Sequence, residues 1–372
     1  MNFDFSDDQK MLADQVAKFL AAECPMTEVR KTLDGNSSYS EKAWQGLADM
    51  GLMGTALPEQ FGGVGATYLE LCLIAKELGA SLAPTPFSST VYLFAEAVLL
   101  AGTESQKELL LAKVSAGELI GTLAVTEDLS DKTGNMDVSF SDGKLSGNKL
   151  IVVDGGLADM AVVAASSASG STSLYLVDLN DASVTRESIT SLDPTRNTTK
   201  LAFSNSPAEL LGTDGEGEKI LREVYDRAAI LFAFEQLGGA QRALDMAVDY
   251  ANERYAFGRP IGSFQGLKHM MSDMYVALKL AESNCYYAAW ALFSDAPELP
   301  LAAATARVST TQAYQLCSKD NIQVHGGMGF TWEFDCHLHY RRSNFLTLQL
   351  GGLSSWEDRL VDCIEAETSS AA

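Results

Sequence analysis

Basic residues are scarce in this chain: 27 Lys and Arg stand against 49 Asp and Glu, a formal net charge of −22. A surface this acidic repels nucleic acid and anionic membranes, so neither is an expected partner. It also repels anionic cofactors, so a phosphate site has to gather cations locally. Arg254, Arg259, Lys268, Arg341 and Arg342 sit in or near the two motifs described below and could serve, scattered surface charges being the bland alternative. Hydrophobic residues make up 47% of the 372 positions, yet no apolar run is long enough to span a bilayer. The opening MNFDFSDDQKMLADQ lacks the basic-then-apolar pattern of a signal peptide. Cys24, Cys72, Cys285, Cys317, Cys336 and Cys363 have no CxxC spacing and read as reduced, mostly buried thiols of a cytoplasmic protein. Cys336 has no paired His–Asn context. His337 and His339 have no third ligand nearby, so no metal site is expected. There is no internal repeat and no low-complexity linker.

What is present falls into three stretches. Residues 1–118 read as a helical domain: Met11, Leu12, Val16, Phe19 and Leu20 recur at helical spacing behind Ser6, an available cap. Further helices are expected over Ser40–Met50, Thr67–Gly79, Ser88–Ala101 and Thr103–Gly117. The glycine-rich loop Leu57–Gly65 between them has no phosphate-binding signature. Residues 119–213 change to short alternating runs such as Gly121–Val125, Lys149–Val153, Met160–Ala164 and Ser173–Val177, separated by turns such as Ser141-Asp142-Gly143-Lys144. Residues 214–372 return to long helices. The expected fold is mostly α with a central antiparallel β domain.

Two motifs carry chemistry. The first is Glu253-Arg254-Tyr255-Ala256-Phe257-Gly258-Arg259-Pro260-Ile261-Gly262-Ser263-Phe264-Gln265. Its glycines and proline break one helix and a second starts near Gln265. A plain helical hairpin is the bland reading. A cation, an aromatic and an amide gathered at one corner also suit a pyrophosphate and a planar ring system. The second is Ile322-Gln323-Val324-His325-Gly326-Gly327-Met328-Gly329-Phe330-Thr331, whose glycines let backbone N–H groups approach an anion. An ordinary glycine C-cap is its bland reading.

Together the two blocks resemble the C-terminal helical domain of the flavin-dependent acyl-CoA dehydrogenases. The resemblance implies an N-terminal helical domain, a middle β-barrel-like domain and a C-terminal four-helix bundle. It implies removal of an α-proton from an acyl-CoA thioester and transfer of the β-hydrogen as hydride to FAD. Arg254, Phe257 and Gln265 match family positions that contact the FAD pyrophosphate and adenosine of a neighbouring subunit. Gln323, Gly326 and Gly327 match the second such segment, and His325 is expected near the phosphates. Contacts across an interface imply an obligate homodimer, homotetramer or heterotetramer with a related subunit. Electron-transferring flavoprotein is the implied acceptor.

The chain also departs from the family. The motif T-E-P-x-A-G-S-D is here Thr126-Glu127-Asp128-Leu129-Ser130-Asp131-Lys132-Thr133, in which Thr126 keeps its place as a flavin hydrogen-bond partner. The next segment, usually W-I-T, is Ile151-Val152-Val153, for which strand core is the simpler reading. The two positions where the family carries its catalytic glutamate are Leu350 and Ala228. The nearest carboxylates are Asp226, expected to be solvated or ion-paired, and Glu235, set in an apolar run. Unpaired, Glu235 would have the raised pKa of a base; a structural carboxylate at a helix crossing is its preferred alternative. Three readings stay open. One is a self-sufficient dehydrogenase with Glu235 as a relocated base. Another is a non-catalytic partner in a mixed tetramer acting on bulky CoA thioesters such as steroid side chains. The third is a flavin-binding scaffold without turnover. Gly238 and Gly239 leave room for a large substrate.

Overall fold

The computed structural model describes residues 5–127, 136–168 and 170–370. In chain order the elements are α1 (Asp7–Glu23), α2 (Met26–Leu33), α3 (Glu41–Asp49), α4 (Tyr68–Ser81), α5 (Glu96–Ala101) and α6 (Glu104–Ser115). Strands follow: β1 (Gly121–Ala124), β2 (Ser139–Ser141), β3 (Lys144–Val153), β4 (Met160–Ser166), β5 (Thr172–Asp178), β6 (Val184–Ser188), β7 (Thr198–Pro207) and β8 (Glu209–Leu211). Then come α7 (Gly217–Glu253), the small hairpin β9–β10 (Tyr255–Ala256, Arg259–Pro260), α8 (Gln265–Phe293), α9 (Leu299–His325), α10 (Cys336–Thr347) and α11 (Leu353–Ser370).

Local chemistry sets several of these boundaries. The Ser6 hydroxyl accepts from Gln9 N at 3.2 Å and Gln9 Oε1 accepts from Ser6 N at 2.9 Å, a capping box that starts α1. Thr103 and Gln106 do the same for α6. The stretch expected as one helix over Ser88–Ala101 is π-helical from Ser88 to Ala95 and becomes α only at Glu96. Its Thr90 hydroxyl exchanges hydrogen bonds with the Gly121 backbone, donating at 3.2 Å and accepting at 3.1 Å. The helix is therefore fastened to β1 rather than free to tighten.

Packing divides the chain into two compact units. The mixed unit comprises Glu28–Thr67 and Pro84–Ala228. Its sheet runs β6–β7–β3–β2–β4–β5–β8, with β1 beside β4. Most pairings are antiparallel, as expected. The sheet is nevertheless mixed, because β1 pairs parallel with β4 from Gly121–Met160 to Ala124–Val163. A parallel pair needs a long connection, and the segment carrying β2 and β3 supplies it.

The helical unit comprises Met1–Thr27, Tyr68–Ala83 and Ala229–Ala372. Here α4 crosses α7 at unusually close range. A Cβ at Gly79 would collide with the Glu235 carbonyl, and one at Gly238 with the Lys76 carbonyl. A Cβ at Gly239 would strike the Tyr314 ring. These glycines bring helices together, so the space beside them is filled by protein and is not the substrate room expected of Gly238 and Gly239. Gly238→Ala is expected to lower stability by about 1–3 kcal/mol through overpacking. A urea midpoint that falls with an unchanged slope would register it. No helix among the described residues is long and apolar enough to cross a membrane. Each of the six cysteines is free, and all but Cys363 are buried.

Candidate cofactor and active site

The arginine motif folds into a tight corner. Arg254 N still donates to Tyr250 O at 2.9 Å, the last hydrogen bond of α7. Tyr255–Ala256 then pairs antiparallel with Arg259–Pro260. The two linking residues, Phe257 (φ 53°) and Gly258 (φ 80°), are both left-handed, as a two-residue type I′ turn requires. Glycine adopts that conformation freely, whereas Phe257 is strained in it. The Phe257 side chain is 96% exposed. Its ring meets Phe264 edge-on at 6.2 Å, and the Arg259 guanidinium lies over Phe264 at 4.0 Å. Arg254 and Gln265 are exposed on the same corner.

The glycine block follows the end of α9. Gly326 has φ 59° and ψ −136°, a backbone that side-chain-bearing residues rarely adopt. No atom lies within 4 Å of where a Cβ would sit on Gly326 or Gly327, so their backbone faces open space. Gly329 differs: a Cβ there would press on the Ile322 carbonyl. Gln323 is exposed.

His325 joins the two blocks. Its ring stacks on Tyr250 at 4.1 Å and meets Phe334 at 5.8 Å, while its Nδ1 donates to Asn321 O at 2.8 Å. Burial lowers its pKa despite that bond. His325 is thus a packing residue that brings the ends of α7 and α9 together, not one turned toward open backbone.

The carboxylates come next. Leu350 stands at φ 63° in the turn after α10, and Ala228 is fully buried on α7. Asp226 is buried rather than solvated. Glu235 is 3% exposed, and its Oε1 lies 3.7 Å from Nη1 of Arg342, itself buried. A second buried guanidinium, Arg307, feels the Glu235 charge; burial lowers its pKa to about 9 against that attraction. Glu235 therefore faces two buried cations, surroundings that suit a structural carboxylate. His339 is buried with Nδ1 3.1 Å from the Tyr314 hydroxyl. Burial, Arg242 and Arg342 push its pKa down to about 3. His337 instead stacks on Trp332 and accepts from Arg341 Nε at 3.3 Å. Burial pushes the Cys336 thiol up to about 11. Among the described residues no group of three or more His, Cys, Asp or Glu is arranged to hold a metal ion.

In the mixed unit, Thr126 is exposed and its carbonyl accepts from Leu150 N at 2.7 Å. Most of the divergent loop after it, residues 128–135, lies outside the described residues. Ile151-Val152-Val153 is not uniform strand core. Val152 is buried, but Ile151 is 44% exposed with φ 51°, at a break in the β3–β7 register between Lys149 and Val152. A β-branched residue at positive φ is rare, and a bulge is what re-aims one side chain of a strand.

Sequence reasoning missed Lys149, on the same strand. It is fully buried, pairs with Glu127, and donates to Val125 O at 3.0 Å. Burial lowers its pKa to about 8, more than the Glu127 pairing restores. Between pH 8 and the unfolded value near 10.5 the folded chain binds fewer protons than the unfolded one, so stability rises with pH there. The full penalty is present below pH 8 and amounts to about 3 kcal/mol. Comparing wild type with Lys149→Met by urea denaturation from pH 7 to 10 should show that rise only in wild type. Parallel curves would refute it.

The comparisons with known proteins agree with this geometry. Residues 6–118 match the acyl-CoA dehydrogenase N-terminal domain model, and residues 215–353 match the C-terminal domain model. The chain is 31% identical to acyl-CoA dehydrogenase IpdE2 of Mycobacterium tuberculosis over 341 residues, 91% of each protein. It superposes with TM-score 0.88 and 27% identity on a solved Tcur3481–Tcur3483 steroid ACAD variant, covering 98% of this chain and 99% of that one. A chain in a structure described as the electron transferring flavoprotein of Acidaminococcus fermentans matches with TM-score 0.90 and 26% identity, covering 98% and 99%. With its mostly helical fold, its central sheet and both motif blocks in place, this chain belongs to the acyl-CoA dehydrogenase family.

Proposed function

We propose that the chain is a subunit of an FAD-dependent acyl-CoA dehydrogenase, and that it completes the cofactor site while a related subunit supplies the base. The observation that carries this reading is the Glu235–Arg342 pair. With Leu350 and Ala228 in the family's base positions, it leaves no free carboxylate at any of the three candidate places.

The residues fit FAD in part. The exposed Arg254 would bind the pyrophosphate by charge-assisted hydrogen bonds, and the Phe257 ring offers a flat face to adenosine. The open backbone of Gly326 and Gly327, beside Gln323, would admit phosphate oxygens closely. Gln265 would finish that corner. In the mixed unit Thr126 would hydrogen-bond the ring system, with Ile151 in place of the family's aromatic shield. FAD supplies a two-electron acceptor: the β-hydrogen leaves with its electron pair as the α-proton passes to a carboxylate, giving a Cα–Cβ double bond. Exposed groups at a cofactor corner imply a neighbouring subunit, in a homodimer, homotetramer or, as favoured here, a heterotetramer. The steroid ACAD similarity supports a bulky, steroid-derived acyl-CoA. Electron-transferring flavoprotein is the proposed acceptor. The free, mostly buried thiols support a reducing, cytoplasmic setting.

The test is the visible spectrum of the protein, alone and mixed with a related subunit bearing the glutamate, during anaerobic addition of acyl-CoA thioesters. Bleaching near 450 nm is expected only in the mixture. Bleaching by the chain alone, abolished in Glu235→Gln, would make it a self-sufficient dehydrogenase instead.

A further inference from the structure

The fully buried Lys149 stands on β3 at a place where methionine would fill similar space without a charge to desolvate. What its ammonium offers that an apolar side chain lacks is three donors. Two meet the segment that follows β1, at Val125 O (3.0 Å) and at Glu127 Oε1, and one meets Met136 Sδ at 3.4 Å. Glu127 extends the grip. Its Oε1 also accepts from Val138 N at 3.1 Å and its Oε2 from Asp137 N, so one carboxylate ties residue 127 to the residues just ahead of β2.

The backbone beside Lys149 joins in. Strand β3 pairs with β7 at Lys149–Leu201 and again at Val152–Thr199, so two residues of β3 face one of β7 in between. At this bulge Leu150 N donates to Thr126 O at 2.7 Å. Val125, Thr126 and Glu127 are thus each held by residue 149 or 150, while Thr126 itself stays exposed. A buried ion pair is commonly no more stabilising than apolar residues of the same size, so stability alone is a poor account of this one.

We propose that Lys149 and Glu127 are positioning residues: they form a clasp that fixes the Val125–Glu127 backbone and so sets Thr126 in place to meet the flavin ring. The proposal rests on the subunit reading above for what Thr126 binds, but not for how Thr126 is held.

The test separates holding Thr126 from stabilising the fold. Removing one charge alone would strand the other, so both are removed together. Lys149→Met takes away the donors, and Glu127→Gln keeps an acceptor for the amides of residues 137 and 138. The double variant should unfold at a urea midpoint at or above that of wild type. Hydrogen exchange without cofactor, read by mass spectrometry, should nevertheless find the Leu150 amide about tenfold faster than in wild type, with the amides of the β4–β5 ladder unchanged. FAD should bind the double variant about tenfold more weakly, the worth of one hydrogen bond, and Thr126→Ala should add little to that loss. A Leu150 amide that speeds up no more than the β4–β5 amides, or a double variant with wild-type FAD affinity, overturns the proposal. Failure of the wild type to bind FAD counts against the subunit reading, and the cofactor-free exchange rates then decide the clasp.

Discussion

Asp154→Ala is expected to cost the mixed unit about 3–5 kcal/mol, because it leaves a buried guanidinium without its counter-charge. Asp154 Oδ2 lies 2.8 Å from Nη2 of Arg196 and accepts from the Ser89 hydroxyl at 2.7 Å. The same Arg196 nitrogen donates to Ser88 at 2.8 Å. Both members of the pair are almost completely buried. Asp154 also has φ 56°, which Asp tolerates better than Ala, so the substitution adds backbone strain. Domains commonly hold only about 5–15 kcal/mol in total, so the variant should be near its limit at growth temperature. Asp154→Asn combined with Arg196→Met should recover most of the loss, since it removes both charges and asparagine keeps the left-handed backbone. Urea denaturation of the single and double variants reads this directly. A single-variant loss under about 1 kcal/mol would mean that water reaches the pair.

The second large effect is on cofactor retention. Arg254→Ala should weaken FAD binding by about tenfold or more, the worth of a charge-assisted hydrogen bond to phosphate. Because Arg254 is exposed, the same variant should unfold within about 0.5 kcal/mol of wild type. Phe257→Gly should separate the two properties in the opposite sense: it relieves the left-handed strain of the hairpin tip yet removes the exposed ring. Lys279→Ala, which takes a cation away from Glu282 on α8, serves as the control. Fluorescence titration with FAD follows all three variants. An Arg254→Ala affinity equal to that of the control would remove the hairpin from the cofactor site.

Helices α1, α3 and α6 were legible because their starts carry Ser or Thr caps, and the long α7, α8 and α9 by their length. Ser6, Ser40 and Thr103 all cap where the pattern begins. The eight-residue α2, the strands β6 to β8 and helix α10, whose start makes no side-chain cap bond, were not read. The parallel β1–β4 pairing was equally hidden, since alternation reports burial and not direction. The corner at Phe257-Gly258 was legible as a break but not as a type I′ hairpin, because the left-handed phenylalanine contradicts its own propensity. Lys149 was missed because a lysine on an alternating strand reads as a solvent-facing residue until its burial is known.

Composition and patterning determined by themselves that this chain is an acidic, mostly helical protein with a central sheet, and they marked the two glycine-broken helix ends. Such properties follow from local rules: periodicity, capping, and glycines spaced for backbone approach. The roles of individual charged and small residues were decided only by tertiary structure. Glu235 reads as a base or as a strut from its neighbours in sequence, and only the fold shows that Arg342, more than a hundred residues away, faces it. Gly238 reads as open space until the Lys76 carbonyl is found against it. His325 reads only as a neighbour of the phosphates until Tyr250 and Phe334 are found packed on its ring. In each case the deciding term is desolvation or close packing against a distant segment, and its sign depends on the partner that folding brings.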